Sequence, residues 1–381
     1  MRILQLSSAE HFGGGERYFA DLANALAMRG HNVHAVLRPQ SPITAALNEI
    51  PSEAITTLTL RNALDAPAAR ALSRLVKKKR IEIVHAHMGR DYSLACYAAR
   101  QNPGVGLFVT RHVLFPLNPL YRIPFTYVDR VIAVSEAVAR SLRSQRLVPE
   151  EKIRIIPNGV LLSRFAGPKD NIARNRLCQS LGIPEASLLV GTVAELKELK
   201  GHEEFLRAGS VVARNFANSH FIIAGADPSR RQEYRATLKL MVAELDLVGR
   251  VHLLGWVEHP APLLKALDLF VSASRSESFG LAIAEAMASG TAVVATDTEG
   301  AREIIQDGET GLRAPISDIA ALAARISELL SDRDMRERLS KNALAIVRTR
   351  YSLEKMVETT ELLYRECLDG PVRVRRFSRQ E

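Results

Sequence analysis

The stretch "RILQLSSAEHFGGGERYFADLANALAMRGHNVHAVL" (residues 2–37) decides the fold of the chain. It begins with an apolar run that ends in small polar residues, and three glycines then lead into a segment with helical periodicity. After Gly30 the sequence resumes as a second apolar run. This order predicts a strand, a glycine loop, a helix and a strand, the unit from which parallel sheets with helices on both faces are built.

Apolar runs typical of buried strands recur along the chain, with helical segments between them. Four more follow in the first half, at 81–87, 106–112, 130–135 and 153–159, and the pattern restarts at 187–194, 220–226, 250–255, 267–274 and 291–296. The irregular stretch 158–172, which holds Pro168, is the best linker. The sequence therefore predicts an α/β fold with two Rossmann-like, doubly wound domains, residues 1–167 and 168–350. A C-terminal helix over 351–369, which could pack back on the first domain, and a basic tail over 370–381 complete the chain.

The composition is that of an ordinary globular protein, with 381 residues, 47% hydrophobic and 24% charged. No run approaches the roughly 20 apolar residues of a membrane span, and "MRILQLSSAE" lacks the apolar core and cleavage site of a signal peptide. We therefore expect a cytoplasmic location. The three scattered cysteines, Cys96, Cys178 and Cys367, suggest neither a disulfide framework nor a zinc site.

The net charge of +9 is concentrated in the first half of the chain. Residues 1–170 hold 23 Lys and Arg against 13 Asp and Glu. Within this half, Arg70–Arg80 is a basic helical stretch, and Val113–Phe125 mixes apolar and aromatic residues with little negative charge. The two stretches could lie on an anionic membrane surface, or they could be a solvated helix face followed by a proline-rich loop. No nucleic-acid-binding motif accompanies the charge, so we expect no nucleic-acid partner.

Three glycines, Gly13 to Gly15, follow the first predicted strand. They would let a ligand approach the backbone closely and would leave amides at a helix start for an anion. Their spacing is not the G-x-G-x-x-G of a dinucleotide site, and no acidic ribose contact is evident about 20 residues further on. A structural turn between strand and helix is the alternative interpretation.

A stronger signal is "SRSESFGLAIAEAMASG" (274–290), in which Glu277 and Glu285 flank a predicted helix start. At about 1.5 Å of rise per residue the carboxylates lie roughly 12 Å apart along the helix axis, too far to share a metal ion or one reacting atom. Amides near Ser278–Gly280 could hold an anion between them, while each carboxylate accepts hydrogen bonds from hydroxyl groups. A sugar, a diphosphate and a ribose in a row fit this layout. Two surface glutamates beside an ordinary helix are the alternative.

This segment resembles the E-x7-E motif of retaining glycosyltransferases of the GT-B fold, the large family 4 (group 1). The resemblance extends to "GGGER" (13–17), "IIPNGV" (155–160), "KGH" (200–202) and "ASGTAVVATDTEGAREIIQDGETGL" (288–312), in the order expected for the family over nearly the whole chain. It implies two Rossmann-like domains that face a central cleft, with the acceptor on the N-terminal domain and the nucleotide sugar on the C-terminal domain.

The resemblance also implies roles for single residues. Glu277 matches the family glutamate that contacts the donor sugar, and Glu285 matches the one that holds the ribose. Lys200 matches the lysine that neutralises the diphosphate, and His112 the histidine near the reaction centre. The other donor contacts implied are Gly14, Gly15, Ser278, Phe279, Gly280 and Leu281.

One position departs from the family pattern. The family usually has an arginine five residues before the lysine, whereas this chain has Glu195 there. Lys197 could supply the second cation on the diphosphate, or Glu195 could face the acceptor. Further candidate residues are His87 on the acceptor side, Glu16 in the glycine motif, and Arg230, which could approach the phosphates.

The reaction implied by the resemblance is transfer of a glycosyl group from a nucleotide-diphosphate sugar, with retention at the anomeric carbon. No pair of metal-binding carboxylates emerges, so we expect neither a metal nor a cofactor. The positive first domain suggests a membrane-associated glycolipid or a saccharide precursor of lipopolysaccharide or polysaccharide as the acceptor, with the enzyme peripheral on the inner face of the cytoplasmic membrane. A soluble acceptor is the alternative. A GT-B nucleotide-sugar epimerase or a non-catalytic nucleotide-sugar-binding protein would share the fold.

Overall fold

The computed structural model describes residues 1–167, 171–229 and 231–370. They form two compact units, the first made of residues 1–159 together with the C-terminal helix from Leu353, and the second of residues 160–352. The division thus falls between Gly159 and Val160, inside the stretch that we predicted as the linker. Arg230 and the basic tail beyond Gly370 lie outside the described residues.

Each unit is built on one sheet in which all paired strands are parallel. The strands of the first unit are β1 (Arg2–Ser7), β2 (Asn32–Leu37), β3 (Ile55–Thr57), β4 (Ile83–Ala86), β5 (Gly106–Arg111), β6 (Arg130–Ala133) and β7 (Ile153–Ile155), and their order in the sheet is β3-β2-β1-β4-β5-β6-β7. Those of the second are β8 (Leu188–Val193), β9 (Ser219–Ala224), β10 (Val251–Gly255), β11 (Leu269–Ser272), β12 (Ala292–Thr296) and β13 (Leu312–Ala314), in the order β10-β9-β8-β11-β12-β13. The predicted pair of doubly wound α/β sheets is confirmed.

Helices connect all successive strands except β2 and β3, and three more follow β13. They are α1 (Gly14–Met28), α2 (Ala66–Lys78), α3 (Tyr92–Arg100), α4 (Arg122–Phe125), α5 (Glu136–Gln145), α6 (Leu162–Phe165), α7 (Asn171–Leu181), α8 (His202–Asn215), α9 (Glu233–Glu244), α10 (Pro260–Ala266), α11 (Leu281–Ala288), α12 (Glu299–Ile304), α13 (Ile319–Ser331), α14 (Arg333–Arg350) and α15 (Leu353–Asp369). In the part of the chain that the structure describes, none of them is long and apolar enough to cross a membrane.

The central strands are buried on both faces, which explains why their sequences are nearly continuous apolar runs. All six residues of β5 and all five of β12 are buried. Because parallel strands end at the same edge of a sheet, the segments after β1, β4 and β5 converge at one edge of the first unit. The segments after β8 and β11 converge in the same way in the second unit.

The C-terminal helix α15 packs on the first unit. Tyr364 is fully buried there and contacts the Phe108 ring of β5, with 4.7 Å between the ring centroids. Glu361 accepts a hydrogen bond from Arg29 at 2.6 Å, just beyond the end of α1. The last helix in the sequence therefore completes the core of the first unit.

Candidate functional site

The segment that joins β11 to α11 is held by one glycine and one buried aromatic ring. Gly280 stands just before the first residue of α11 with a φ of 97°, a conformation that strains any residue with a Cβ. Phe279 is buried against Tyr351, with 5.5 Å between the ring centroids. The side chain of Phe279 thus anchors the segment in the core, so the backbone amides of Phe279, Gly280 and Leu281 form a fixed helix start.

A second glycine lets helix α12 approach this segment. Gly300 donates its backbone N–H to the carbonyl oxygen of Glu277 at 3.1 Å. A Cβ on Gly300 would lie 2.7 Å from the carbonyl oxygen of Phe279 and 2.8 Å from that of Glu277. Only glycine can be accommodated at position 300, which explains the glycine of "TEG" in the quoted motif.

Lys200 and Glu277 form an ion pair in the second unit. The Lys200 Nζ lies 2.7 Å from the Glu277 Oε1, and the Ser274 hydroxyl donates to the same oxygen at 2.8 Å. Both charged side chains are mostly shielded from solvent, with 26% of Lys200 and 14% of Glu277 exposed. An ammonium group has three hydrogen-bond donors, so Lys200 can bind an anion while it keeps a carboxylate partner.

Gly201 brings Lys200 to this position. Its φ is 67°, and a Cβ there would lie 1.9 Å from the carbonyl oxygen of Ala273. The neighbouring Leu199 carbonyl accepts a hydrogen bond from the Arg275 N–H at 2.9 Å. The loop after β8 is therefore docked on the end of β11, and this contact aligns Lys200 with Glu277.

Glu285 lies on the same helix as the amides. It is half-buried on α11, four residues after Leu281, and residues at this spacing lie on one face of a helix. Ser278 is also half-buried, immediately before Phe279. The predicted donor contacts of the second unit thus gather at the start of α11 and along one of its faces.

In the first unit, His112 lies at the end of β5 beside His87, which follows β4. The two imidazoles are nearly parallel, with 5.6 Å between ring centroids and 21° between planes, and His87 Nδ1 is 3.4 Å from His112 Nε2. His87 Nε2 bonds the Gln5 side-chain oxygen at 2.7 Å. Burial lowers the pKa of His112 to about 3 and that of His87 well below its usual value, so both rings are neutral at physiological pH.

The glycine motif after β1 lies over this histidine. A Cβ on Gly15 would be 3.6 Å from His112 Cγ, which is ordinary van der Waals contact. Gly14 is the first residue of α1. Glu16 accepts a hydrogen bond from the Gly13 N–H at 3.0 Å and so caps its own helix. The motif therefore caps its own helix and lies near His112.

Sequence comparisons identify the family. Residues 12–164 match the family described as Glycosyltransferase Family 4, and residues 173–345 match Glycosyl transferases group 1. The lipopolysaccharide core biosynthesis mannosyltransferase LpcC of Rhizobium leguminosarum bv. viciae is 31% identical over 71% of this chain and 78% of its own length. The chain belongs to the group 1 glycosyltransferases. The resemblance inferred from the motifs is thereby confirmed.

Two further relatives extend the comparison of this glycosyltransferase over most of its length. The N-acetyl-alpha-D-glucosaminyl L-malate synthase of Bacillus anthracis is 25% identical over 93% of this chain and 94% of its own. The crystal structure of Anabaena Alr3699/HepE in complex with UDP-glucose has a TM-score of 0.84 at 23% identity, covering 95% of this chain and 99% of that one. The structural likeness confirms the GT-B fold.

The departure at position 195 has a local explanation in the glycosyltransferase. The Glu195 carboxylate pairs with Lys197 at 2.7 Å, and half of the Lys197 side chain is exposed. The Glu195 backbone oxygen also bonds His202 Nε2 at 2.9 Å. The two lysines therefore have different carboxylate partners: Lys197 pairs with Glu195, and Lys200 pairs with Glu277. Among the described residues, no group of three His, Cys, Asp or Glu side chains is arranged to hold a metal ion.

Several residues that shape this glycosyltransferase's candidate site were not found from the sequence. Gln5 is a polar residue within the apolar strand β1, and Ser274 follows β11; nothing in their local sequence pattern marks them. Gly201 and Gly300 lie inside the quoted motifs. Each must be glycine because a Cβ there would clash with the carbonyl oxygen of a residue distant in sequence, a contact that only the fold reveals. The predicted residue Arg230 lies outside the described part of the chain.

Proposed function

We propose that this glycosyltransferase is retaining and metal-independent, and that it moves a sugar from a nucleotide-diphosphate sugar to a hydroxyl group of a membrane-associated glycolipid or polysaccharide precursor. The observation that carries the proposal is the Lys200–Glu277 pair beside the start of α11. This arrangement offers a cation and backbone amides to a diphosphate, and a carboxylate to sugar hydroxyls.

Metal independence follows from the charges that surround the leaving group. The departing diphosphate develops negative charge, which the Lys200 ammonium and the amides of Phe279, Gly280 and Leu281 would stabilise. These donors are held in place by the buried Phe279 ring and by Gly280, so they need little reorganisation during the reaction. Glu285 on α11 would accept hydrogen bonds from the ribose hydroxyls.

Retention is best explained by attack on the face from which the diphosphate leaves. A double displacement needs a carboxylate nucleophile about 5 Å from a second carboxyl group, but the Glu277 carboxylate already bonds Lys200 and Ser274. In the proposed step, the acceptor oxygen bonds the anomeric carbon as the bond from that carbon to the phosphate oxygen breaks. The acceptor proton passes to the departing phosphate oxygen, so no protein base is required.

The donor class is supported by the structural neighbours. HepE binds UDP-glucose in its crystal structure, and its fold covers nearly all of this chain. UDP-glucose is therefore the first donor to test, together with GDP-mannose because LpcC is named as a mannosyltransferase.

The acceptor class is supported by the surface that follows His112. Phe115, Leu120 and Ile123 are 63%, 73% and 67% exposed. With Arg122 between them, these side chains suit the interface of an anionic bilayer. LpcC is named for lipopolysaccharide core biosynthesis, in keeping with such an acceptor. A soluble acceptor is the second candidate, favoured by the relative named as an N-acetyl-alpha-D-glucosaminyl L-malate synthase.

The test of transfer is product formation from UDP-glucose or GDP-mannose with a membrane lipid extract, with the anomeric configuration of the product read by NMR. We expect a retained configuration, and a loss of at least a hundredfold in turnover for Lys200→Met. Lys239→Met, an exposed lysine on α9, is the matched control and should keep wild-type turnover. An inverted product, or a Lys200→Met variant as active as the control, would refute the proposal.

The test of the membrane surface is sedimentation with vesicles of phosphatidylglycerol and phosphatidylcholine at low salt. We expect Phe115→Glu with Ile123→Glu to reduce binding at least tenfold. Val248→Glu, which changes a 72% exposed residue of the second unit, should have little effect. A wild-type chain that stays in the supernatant would favour the soluble acceptor.

A further inference from the structure

We propose that Gln5 and His87 are positioning residues that hold His112 in the tautomer with its proton on Nε2, so that Nδ1 is left to accept a hydrogen bond from a substrate hydroxyl. The inference rests on the proposed function only in assigning that hydroxyl to a sugar substrate. The tautomer itself follows from three side chains that come from β1, the end of β4 and the end of β5.

The first step is the bond between Gln5 and His87. A side-chain amide oxygen can only accept, so the 2.7 Å contact between Gln5 Oε1 and His87 Nε2 requires a proton on that nitrogen. The other end of the amide supports this orientation, because Gln5 Nε2 donates to the Tyr364 hydroxyl at 3.5 Å. His87 is neutral, so its Nδ1 has a free lone pair.

The second step is the contact between His87 and His112, which determines the tautomer of His112. His87 Nδ1 can only accept, so the 3.4 Å contact with His112 Nε2 places the proton of the neutral His112 ring on Nε2. His112 Nδ1 is then an acceptor. That nitrogen is buried and has no hydrogen-bond partner among the described residues. An unpaired buried acceptor costs about 1–3 kcal/mol, a cost that is relieved when a ligand donates to it.

The ring of His112 cannot easily turn to exchange its two nitrogens. Tyr18 packs edge-on against it, with 4.8 Å between ring centroids. His87 is enclosed in turn by Phe19, with 5.0 Å between centroids, and by His85 at 4.2 Å. Packing therefore fixes the ring orientations, and the Gln5 oxygen fixes where the protons lie.

The consequence concerns the kind of group that His112 can recognise. A neutral imidazole with a lone pair on Nδ1 accepts a hydrogen bond from a hydroxyl, whereas it has nothing to donate from that nitrogen. The relay of Gln5, His87 and His112 thus selects for a hydroxyl at the contacted position of the substrate and against a methoxy or deoxy group there.

The direct test is long-range 1H–15N NMR of the full chain with 15N-labelled histidine, which reports the protonated nitrogen of each ring. In the wild type at pH 7.5 we expect His112 and His87 to carry their protons on Nε2. Gln5→Leu and His87→Leu should give His112 a mixture of tautomers. His87→Asn should restore the wild-type pattern, because the asparagine side-chain oxygen can stand where His87 Nδ1 accepts.

A matched control is available in the second unit. His220 Nδ1 and His252 Nε2 are 3.2 Å apart and their ring centroids are 5.5 Å apart, much like the pair in the first unit. His252→Phe should leave the His112 signals unchanged. A wild-type His112 with its proton on Nδ1, or a His112 tautomer unaffected in both leucine variants, would overturn the proposal.

Turnover separates this proposal from the proposed function. With UDP-glucose as the probe, Gln5→Leu and His87→Leu should lower kcat for sugar release about tenfold, the worth of one hydrogen bond. His87→Asn should recover most of the turnover lost in His87→Leu, and His252→Phe should stay close to wild type. If the wild type shows the expected tautomers but no turnover of UDP-glucose, the relay is supported and the donor assignment fails.

Discussion

Replacing Gly201 by alanine tests whether the loop after β8 places Lys200. The substitution has two effects. First, an alanine held at a φ of 67° is strained, which lowers the free energy of unfolding by about 1 kcal/mol or somewhat more. Second, the new Cβ would lie 1.9 Å from the Ala273 carbonyl oxygen. Real Cβ atoms do not approach closer than 3.0 Å, so the loop must move by at least 1.1 Å. Overpacking of this kind adds about 1–3 kcal/mol, which gives a total loss of about 2–4 kcal/mol in unfolding free energy.

The shift also breaks the charge-assisted hydrogen bond between Lys200 and Glu277. If the 1.1 Å displacement is added to the 2.7 Å between Lys200 Nζ and Glu277 Oε1, the distance becomes about 3.8 Å, longer than a hydrogen bond. A Lys200 ammonium displaced by this distance would also lose its charge-assisted hydrogen bond to the diphosphate of UDP, and such a bond contributes about 1.5–3 kcal/mol. We therefore expect the affinity for UDP to fall at least tenfold.

The control is Gly182→Ala, also in the second unit. Gly182 has a φ of 65° but nothing within 4 Å of its Cβ position, so alanine there suffers the same backbone strain without the clash. Urea unfolding and calorimetry with UDP should show a loss of about 1 kcal/mol and unchanged affinity for this variant. If Gly201→Ala matches Gly182→Ala in both measurements, the argument that Gly201 positions Lys200 is wrong.

Three further predictions follow from the same structure. Gly300→Ala should lower the midpoint of urea unfolding, because the new Cβ would lie 2.7 Å from the Phe279 carbonyl oxygen. Alanine is normally favoured over glycine in helices by about 1 kcal/mol, so a rise in the midpoint would contradict the close contact. Burial lowers the pKa of His85 and His112 to about 3, so below pH 6.5 the unfolded chain takes up protons that the folded chain does not. The free energy of unfolding should therefore fall by about 2 kcal/mol per histidine between pH 7 and pH 5. Equal urea midpoints at the two pH values would refute this. Turnover should be unchanged after treatment with EDTA, and its loss with recovery on adding Mg²⁺ or Mn²⁺ would show a metal requirement.

The sequence was sufficient for most of the fold because the central strands are buried on both faces. The predicted runs 106–112 and 291–296 correspond to β5 and β12, whose residues are all buried. The edge strands β3 and β13 were missed because each has only three residues outside any predicted apolar run, whereas the equally short β7 lies within the predicted run 153–159. The short helix α6 was also hidden, since four residues within an irregular stretch give no periodicity.

The candidate site was predictable only in part. The start of α11 was evident from the glycine and the flanking glutamates, since both lie in one short segment. Lys200 is separated from Glu277 by 77 residues, so local spacing could not pair them, and the family resemblance alone suggested their roles. Gln5 lies within β1, and His87 and His112 lie at the ends of β4 and β5, so the hydrogen bonds of this relay depend on side-chain directions that no sequence pattern encodes.

The most direct test of the central claim, that the start of α11 holds a nucleotide diphosphate, is calorimetric titration of UDP, GDP and ADP without metal. The titrations would be made with the wild type, with Glu285→Ala and with Glu244→Ala, an exposed glutamate on α9 that serves as the control. We predict that one nucleotide binds the wild type and the control equally, and that its affinity falls at least tenfold in Glu285→Ala. Binding that is absent for all three nucleotides, or equal in Glu285→Ala and the wild type, would contradict the claim.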